Sequence, residues 1–249
     1  MEVLNENIAD KFKFYFDIRI VSNPAELDAI FQLRYDIFCK EFGFEKEEDC
    51  KNQREIDLYD SQGLHCLVLH KATKTPAGCV RILLPEAYPK MSLPFEQYCH
   101  IQKTNQYCEI SRLAVNRSFR RRSGDTSAAM GMSSQTLEQV QFDTIHRHFP
   151  MVPVSLMLAG IAICKHLNRN IFAMMEPKLV HAMKGYGIHF AQVGKVVPYH
   201  GERAAFQMAP EEVFRSIHPE LKYFLNIILN ELRENTLKWE DKRYNKKIS

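Results

Sequence analysis

Apolar residues recur along this chain with two periods. "FKFYFDIRIV" (12–21) is aromatic and β-branched and reads as a strand. In "SNPAELDAIFQLRYDIFCKEFG" (22–43) the spacing changes to three and four. Leu27, Ile30, Phe31, Ile37 and Phe38 share a helical face, and Arg34 interrupts it. Ser22 or Asn23 can cap that helix, Pro24 suits its first turn, and Gly43 can end it. "LHCLVLH" (64–70) and "CVRILLP" (79–85), joined by "KATKTPAG", predict a β-hairpin, and "QYCEISRLAV" (106–115) a further strand. "PVSLMLAGIAICKHLN" (153–168) is apolar nearly all round, as a buried helix is. A strand "IFAMM", a helix "PKLVHAMKGYG", strands "IHFAQVG" and "RAAFQMA", and helical segments broken near Pro219 follow. The order β-α-β-β-β-α-β-α-β-β-α predicts an α/β chain with a mixed sheet under helices. With no linker between equal halves, residues 1–249 read as one domain. It has a polar insertion at about 117–152, with a short helix near 135–147, and a helical extension at about 210–249.

Composition narrows the class. Hydrophobic residues make up 45% and charged residues 25% of the 249, as in ordinary globular proteins. No apolar run approaches the roughly 18 residues of a membrane span, and no signal-type apolar core opens the chain. The seven cysteines are odd in number and lack CxxC spacing, which predicts reduced thiols and a cytoplasmic protein. His146 and His148 form an HxH without a nearby carboxylate or cysteine cluster, so no metal is expected. The net charge is only +3, but "RSFRRR" (117–122) and "KWEDKRYNKK" (238–247) concentrate basic residues. Without aromatic interleaving or a recognition helix, such runs suit an acidic protein partner better than nucleic acid.

Four stretches carry charge where a core pattern calls for apolar side chains. They are Arg34, the run "EIDLYD" with Glu55, Asp57 and Asp60, Arg81 inside the hairpin, and Glu109 with Arg112 in "CEISRLAV". Buried arginines need carboxylate partners, so these residues form either structural ion pairs or one functional network. Glu109 and Arg112 have opposite strand parity. To reach one pocket they require a β-bulge between them.

These stretches resemble the N-acyl-homoserine-lactone synthases within the GNAT acyltransferase superfamily. That family's pattern is Arg-x-x-x-Phe, Asp-x-x-Asp, Gly-x-x-Arg-Leu, a Phe, then Glu-x-x-Arg. It falls here on Arg34 and Phe38, Asp57 and Asp60, Gly78 and Arg81, Phe95, and Glu109 and Arg112. "EIDLYD" and "EISRLAV" are similar to the long-chain N-acyl amino acid synthases, including the PEP-CTERM/exosortase-associated acyltransferases.

The resemblance implies a GNAT-like, mostly antiparallel sheet with helices on both faces and no permanently bound cofactor. It implies Glu109 as base with Arg112 beside it, and Arg34, Phe38, Asp57, Asp60, Arg81 and Phe95 around the substrates. A backbone N–H of the central strand would serve as oxyanion donor. After that strand "VNRSFRRRSGD" has no glycine before Gly124, unlike the Gly-rich loops that cradle coenzyme A pyrophosphate. This favours a long-chain acyl-carrier-protein thioester over acyl-CoA as donor, docked on Arg117, Arg120, Arg121 and Arg122. The autoinducer synthases carry a Trp near the acidic loop, where Phe42 or Phe44 stands here; the only Trp is Trp239. An amino acid is thus favoured over S-adenosylmethionine as amine acceptor. The alternatives are an acyl-homoserine-lactone synthase and a non-catalytic acyl-binding module.

Overall fold

A computed structural model describes residues 7–84, 106–120 and 150–248. The predicted short helix near 135–147, Phe95, Arg121, Arg122, His146 and His148 lie outside these residues, as does most of the expected insertion.

The chain opens with a helix, α1 (Ile8–Tyr15), and only then enters β1 (Phe16–Ile20). The aromatic run alone predicts one strand from residue 12. Helical capping overrides that propensity: the Asn7 side chain accepts the Asp10 backbone N–H at 3.0 Å. Ile8 and Phe12, four apart, also turn inward together, with Phe12 5.0 Å from the ring of Phe224. The next helix, α2 (Pro24–Arg34), starts as its sequence predicts, with Asn23 accepting the Glu26 N–H at 2.9 Å. It continues into a π-helical stretch, Tyr35–Glu41, which ends before Gly43 at φ 61°. Such stretches are rare and occur often at functional sites.

The hairpin is β2 (Leu64–His70) and β3 (Pro76–Leu83), and the central strand is β4 (Tyr107–Val115). Then come α3 (Met151–His166), β5 (Asn170–Met175), α4 (Pro177–Lys184), the short β6 (Ala191–Gln192) and β7 (Val197–Pro198), and β8 (Glu202–Met208). Helices α5 (Pro210–Ser216) and α6 (Pro219–Ile248) close the chain. "IHFAQVG" thus contributes only a two-residue strand, and β7 was not legible as one.

The sheet order is β1-β2-β3-β4-β5-β8-β6, with β7 on β8. Neighbouring strands are antiparallel except β4 and β5, which run parallel. One sheet face packs on α3 and α6 as the main core. The other packs on α2 through Ile30, Phe31, Leu33, Leu67, Cys79 and Ala114. Gly78 lets α3 approach: a Cβ there would lie 2.7 Å from Leu156 Cδ1 and 2.9 Å from the Ala114 carbonyl oxygen.

Two features of β4 set up the site. Cys79 pairs with Ala114 and Arg81 with Ser111, so two steps along β3 oppose three along β4. The extra residue is a β-bulge, and Arg112 there has φ 51°. The bulge required by the parity of Glu109 and Arg112 is present. In addition, the β4–β5 ladder ends at Glu109–Phe172, beyond which the described strands part.

Candidate active site

The acidic loop before β2 lies against α2, and its carboxylates meet the arginines of three elements. Arg34 is fully buried; its Nε donates to Glu55 Oε2 at 2.5 Å, and Nη1 and Nη2 donate to the two oxygens of Asp60 at 2.7 and 3.0 Å. It does not snorkel to the rim. Arg81 donates from Nη1 to Asp57 Oδ1 and Asp60 Oδ1, both at 2.7 Å, and from Nε to Ser111 Oγ at 3.2 Å. Arg112, aimed by the bulge, reaches Glu55 Oε1 at 3.2 Å, Asp57 Oδ2 at 3.1 Å and Glu45 Oε1 at 3.5 Å. Planar guanidinium forks suit such shared carboxylates. Asp60 also accepts the Asp57 N–H at 2.7 Å.

The electrostatics follow from this packing. Burial opposes ionisation of Asp60, but the hydrogen bonds from Arg34 and the charges of Arg34 and Arg81 outweigh it and hold the carboxyl far below the usual range. His65, buried with Nε2 3.0 Å from the Asp60 carbonyl oxygen, is pushed toward its neutral form by burial. Three arginines therefore face the carboxylates of Glu55, Asp57 and Asp60, with Glu45 a fourth at 3.5 Å from Arg112, in a wall that needs no anionic ligand to neutralise it. On the sequence, Arg34, Arg81 and Arg112 could bind either Asp57 and Asp60 or an acceptor's carboxylate. Their carboxylate contacts here are to Glu45 and to Glu55, Asp57 and Asp60 of the acidic connection.

Beside this wall, where β4 parts from β5, a pocket opens. Its apolar side is lined by Ile110, Leu113, Met157, Met174, Leu179 and Phe190. Phe38, Phe42 and Phe44 form another side, with Phe42 and Phe44 stacked at 5.2 Å and Arg112 over Phe38 at 6.0 Å. The polar end holds Glu45, Arg112, Tyr199, His200 and Arg203. Glu109 occupies the last rung joining β4 to β5; burial raises the Tyr199 phenol against the pull of Arg112 and Arg203, helped by Glu45 and, least of all, by Glu109.

The structure thus brings together Arg34, Asp57, Asp60, Arg81, Arg112 and Phe38, while Glu109 sits on the last β4–β5 rung and is not among the residues lining the pocket. Glu55, noted only as one charge of the acidic run, bridges Arg34 to Arg112. Glu45, Tyr199, His200 and Arg203 were missed. Only Arg203 left a signal, a charge opening the apolar strand "RAAFQMA". Arg117 is exposed, but Arg120 is not a free surface charge. It donates to the Val115 carbonyl at 2.7 Å and to Glu41 at 2.6 Å, and lies over Phe42 at 5.1 Å. Cys108 is fully buried on the main-core face, away from the pocket. Among the described residues no cluster of His, Cys, Asp and Glu has metal-holding geometry, and no helix is long and apolar enough to cross a membrane.

Residues 33–130 match the family model described as "Acetyltransferase (GNAT) domain". With its mixed sheet parted between β4 and β5, the chain has a GNAT-like N-acyltransferase fold, and its matched GNAT domain makes it an acyltransferase. Among solved structures it is similar to the AHL synthase LasI, with 16% identity over 81% of this chain and 94% of that one, at a TM-score of 0.57. TofI, in a ternary complex with an inhibitor and MTA, is 14% identical over 83% and 99%, at 0.59. The CoA-dependent acyl-homoserine lactone synthase BjaI, with SAM and isopentyl-CoA, is 18% identical over 86% and 90%, at 0.55. At these identities the likeness is one of fold. No curated protein matches the chain.

Proposed function

We propose that this protein is a cytoplasmic N-acyltransferase. It moves a long-chain fatty acyl group from an acyl-carrier-protein thioester to the amine of an amino acid or a similar small molecule. The observation that carries this reading is the parting of β4 from β5 beside the charged wall. It leaves an apolar cleft for the acyl arm and a polar end for the amine.

The amine enters as an ammonium and must lose a proton before its lone pair can attack the thioester carbonyl. The C–N bond forms and the carbonyl becomes an oxyanion, held by a backbone N–H of the open β4 edge. Glu109 takes the second proton from nitrogen. The C–S bond breaks as the oxyanion collapses, and that proton passes to the departing sulfur. The products are an amide and a free thiol, with no covalent enzyme intermediate. Arg34, Arg81 and Arg112 hold Glu55, Asp57 and Asp60 as a rigid wall, and Phe38 flanks it; the family pattern also names Phe95 for substrate binding. Phe42 and Phe44 at the pocket favour an amino acid over the S-adenosylmethionine that accompanies BjaI.

Discharge of purified long-chain acyl-carrier protein and acyl-CoA, each with mixed amino acids and with S-adenosylmethionine, tests this. Acylated amino acids from the carrier-linked donor are expected. Acyl-homoserine lactones alone would transfer the reading to a lactone synthase, and no discharge of either donor would leave a non-catalytic acyl-binding module.

A further inference from the structure

Arg203 stands apart from the other arginine of the described pocket lining. Arg112 has three carboxylates within 3.5 Å. Arg203 has Glu176 at 3.9 Å, donates from Nε to the His200 carbonyl at 3.3 Å, and lies over the Phe44 ring at 5.6 Å. A part-buried guanidinium lining a pocket, whose carboxylate partner stands 3.9 Å away, is less fully balanced than Arg112. Burial indeed pulls its proton affinity below the ordinary arginine value, a cost that the charge of Glu176 only partly offsets.

A carboxylate stands across the same end of the pocket. Glu45 Oε1 lies 4.0 Å from Nε2 of His200, whose backbone oxygen Arg203 contacts. The Phe44 ring spans the same gap, 5.1 Å from His200. The three-residue turn between β7 and β8 sets this arrangement: Pro198 pairs with Glu202, and His200 and Gly201 have φ 49° and 93°. His200 is driven toward its neutral form by burial and by Arg203 and Arg112, so it separates the two charges without cancelling either. Burial raises Glu45, assisted by Glu55 and Asp57 against the pull of Arg112, which makes it a better proton acceptor than an exposed glutamate.

We infer that Glu45 and Arg203 are the two poles of an α-amino-acid site, Arg203 holding the carboxylate and Glu45 the ammonium. The inference rests on the acyl-transfer reading for the fate of that ammonium, not for its binding. Glu45 accepts the first proton and the neutral amine remains facing the pocket, while Arg203 excludes amines that lack a carboxylate. A free amino acid and the amino-acid head of S-adenosylmethionine share this chemistry.

Saturation-transfer NMR on the intact protein separates the cases. The probes are an equimolar mixture of the proteinogenic L-amino acids, the corresponding carboxamides, and S-adenosylmethionine. The wild type is expected to bind one or more acids at least tenfold more tightly than their amides. Arg203→Gln should weaken the acids by about 10- to 100-fold, as for loss of a charged hydrogen-bonded contact, and leave the amides unchanged. Arg203→Lys should restore part of the preference. Glu45→Gln should weaken acids and amides alike, because both carry the ammonium. A signal from S-adenosylmethionine alone would name it as the source. Equal binding of acids and amides by the wild type, or an undiminished preference in a folded Arg203→Gln protein, would overturn the inference. Binding with this preference but without acyl transfer would instead sink the proposed activity and leave the site standing.

Discussion

Arg34 and Asp60 meet as a fork in the interior, Nη1 to Oδ1 at 2.7 Å and Nη2 to Oδ2 at 3.0 Å, with both side chains buried. Removing one partner strands the other without solvent, which costs about 3–5 kcal/mol. Asp60→Asn is therefore expected to lower the melting temperature by well over 5 °C, and urea titration should give a loss in that energy range.

The same pair has a pH signature. Asp60 titrates far below its unfolded value of 3.8, so its contribution is complete above that value and drains as pH falls below it. Between about pH 4 and pH 2 the wild type should lose stability more steeply than Asp60→Asn. Parallel curves from denaturant titrations would show that the pair contributes nothing through ionisation.

Glu109→Gln keeps size and removes basicity. On the proposed mechanism, in which Glu109 accepts a proton, kcat should fall by about 10²–10⁴ at neutral pH. Calorimetry should show little change in melting temperature, and the rate should recover partly at higher pH, where hydroxide can take that second proton from nitrogen. A variant that kept its rate while losing several degrees would make Glu109 a structural residue and move the base to Glu45 or the acidic loop.

Carrier docking and folding separate within "RSFRRR". On the proposed docking, reversal of the exposed Arg117 to Glu, together with Arg121 and Arg122, should raise KM for a carrier-linked donor and leave a small free thioester almost untouched, because charge that steers a partner acts mainly on encounter. Arg120→Ala should instead lose stability, since Arg120 is packed on Phe42, Glu41 and the end of β4. Steady-state kinetics with the two donors, beside melting curves, distinguish them.

Two glycines should respond differently to a methyl group. At Gly160 the added Cβ meets Ile110 Cδ1 at 2.6 Å, the free end of a side chain that can turn away. At Gly78 it meets Leu156 and, at 2.9 Å, the fixed carbonyl of Ala114. Gly78→Ala should cost about 1–3 kcal/mol by overpacking, and Gly160→Ala less, as compared by denaturant midpoint.

Much of this protein was determined along the chain itself. The α2 stripe and its Asn23 cap, the hairpin, the apolar α3 and the break before Pro219 depend on neighbours a few residues away, so periodicity and capping chemistry reveal them. Even the β4 bulge followed from local parity, once Glu109 and Arg112 were required in one pocket. The strand expected from residue 12 failed because Phe12 packs against Phe224, a partner more than 200 residues away in sequence. Only tertiary structure decided that Glu55, Asp57 and Asp60 consume the charges of Arg34, Arg81 and Arg112. The same packing buried Arg120 and brought Glu45 and Arg203 to one end of the pocket. Those pairings join elements remote in sequence, and their energies depend on burial and on distances of a few ångströms, which no local pattern of residues encodes.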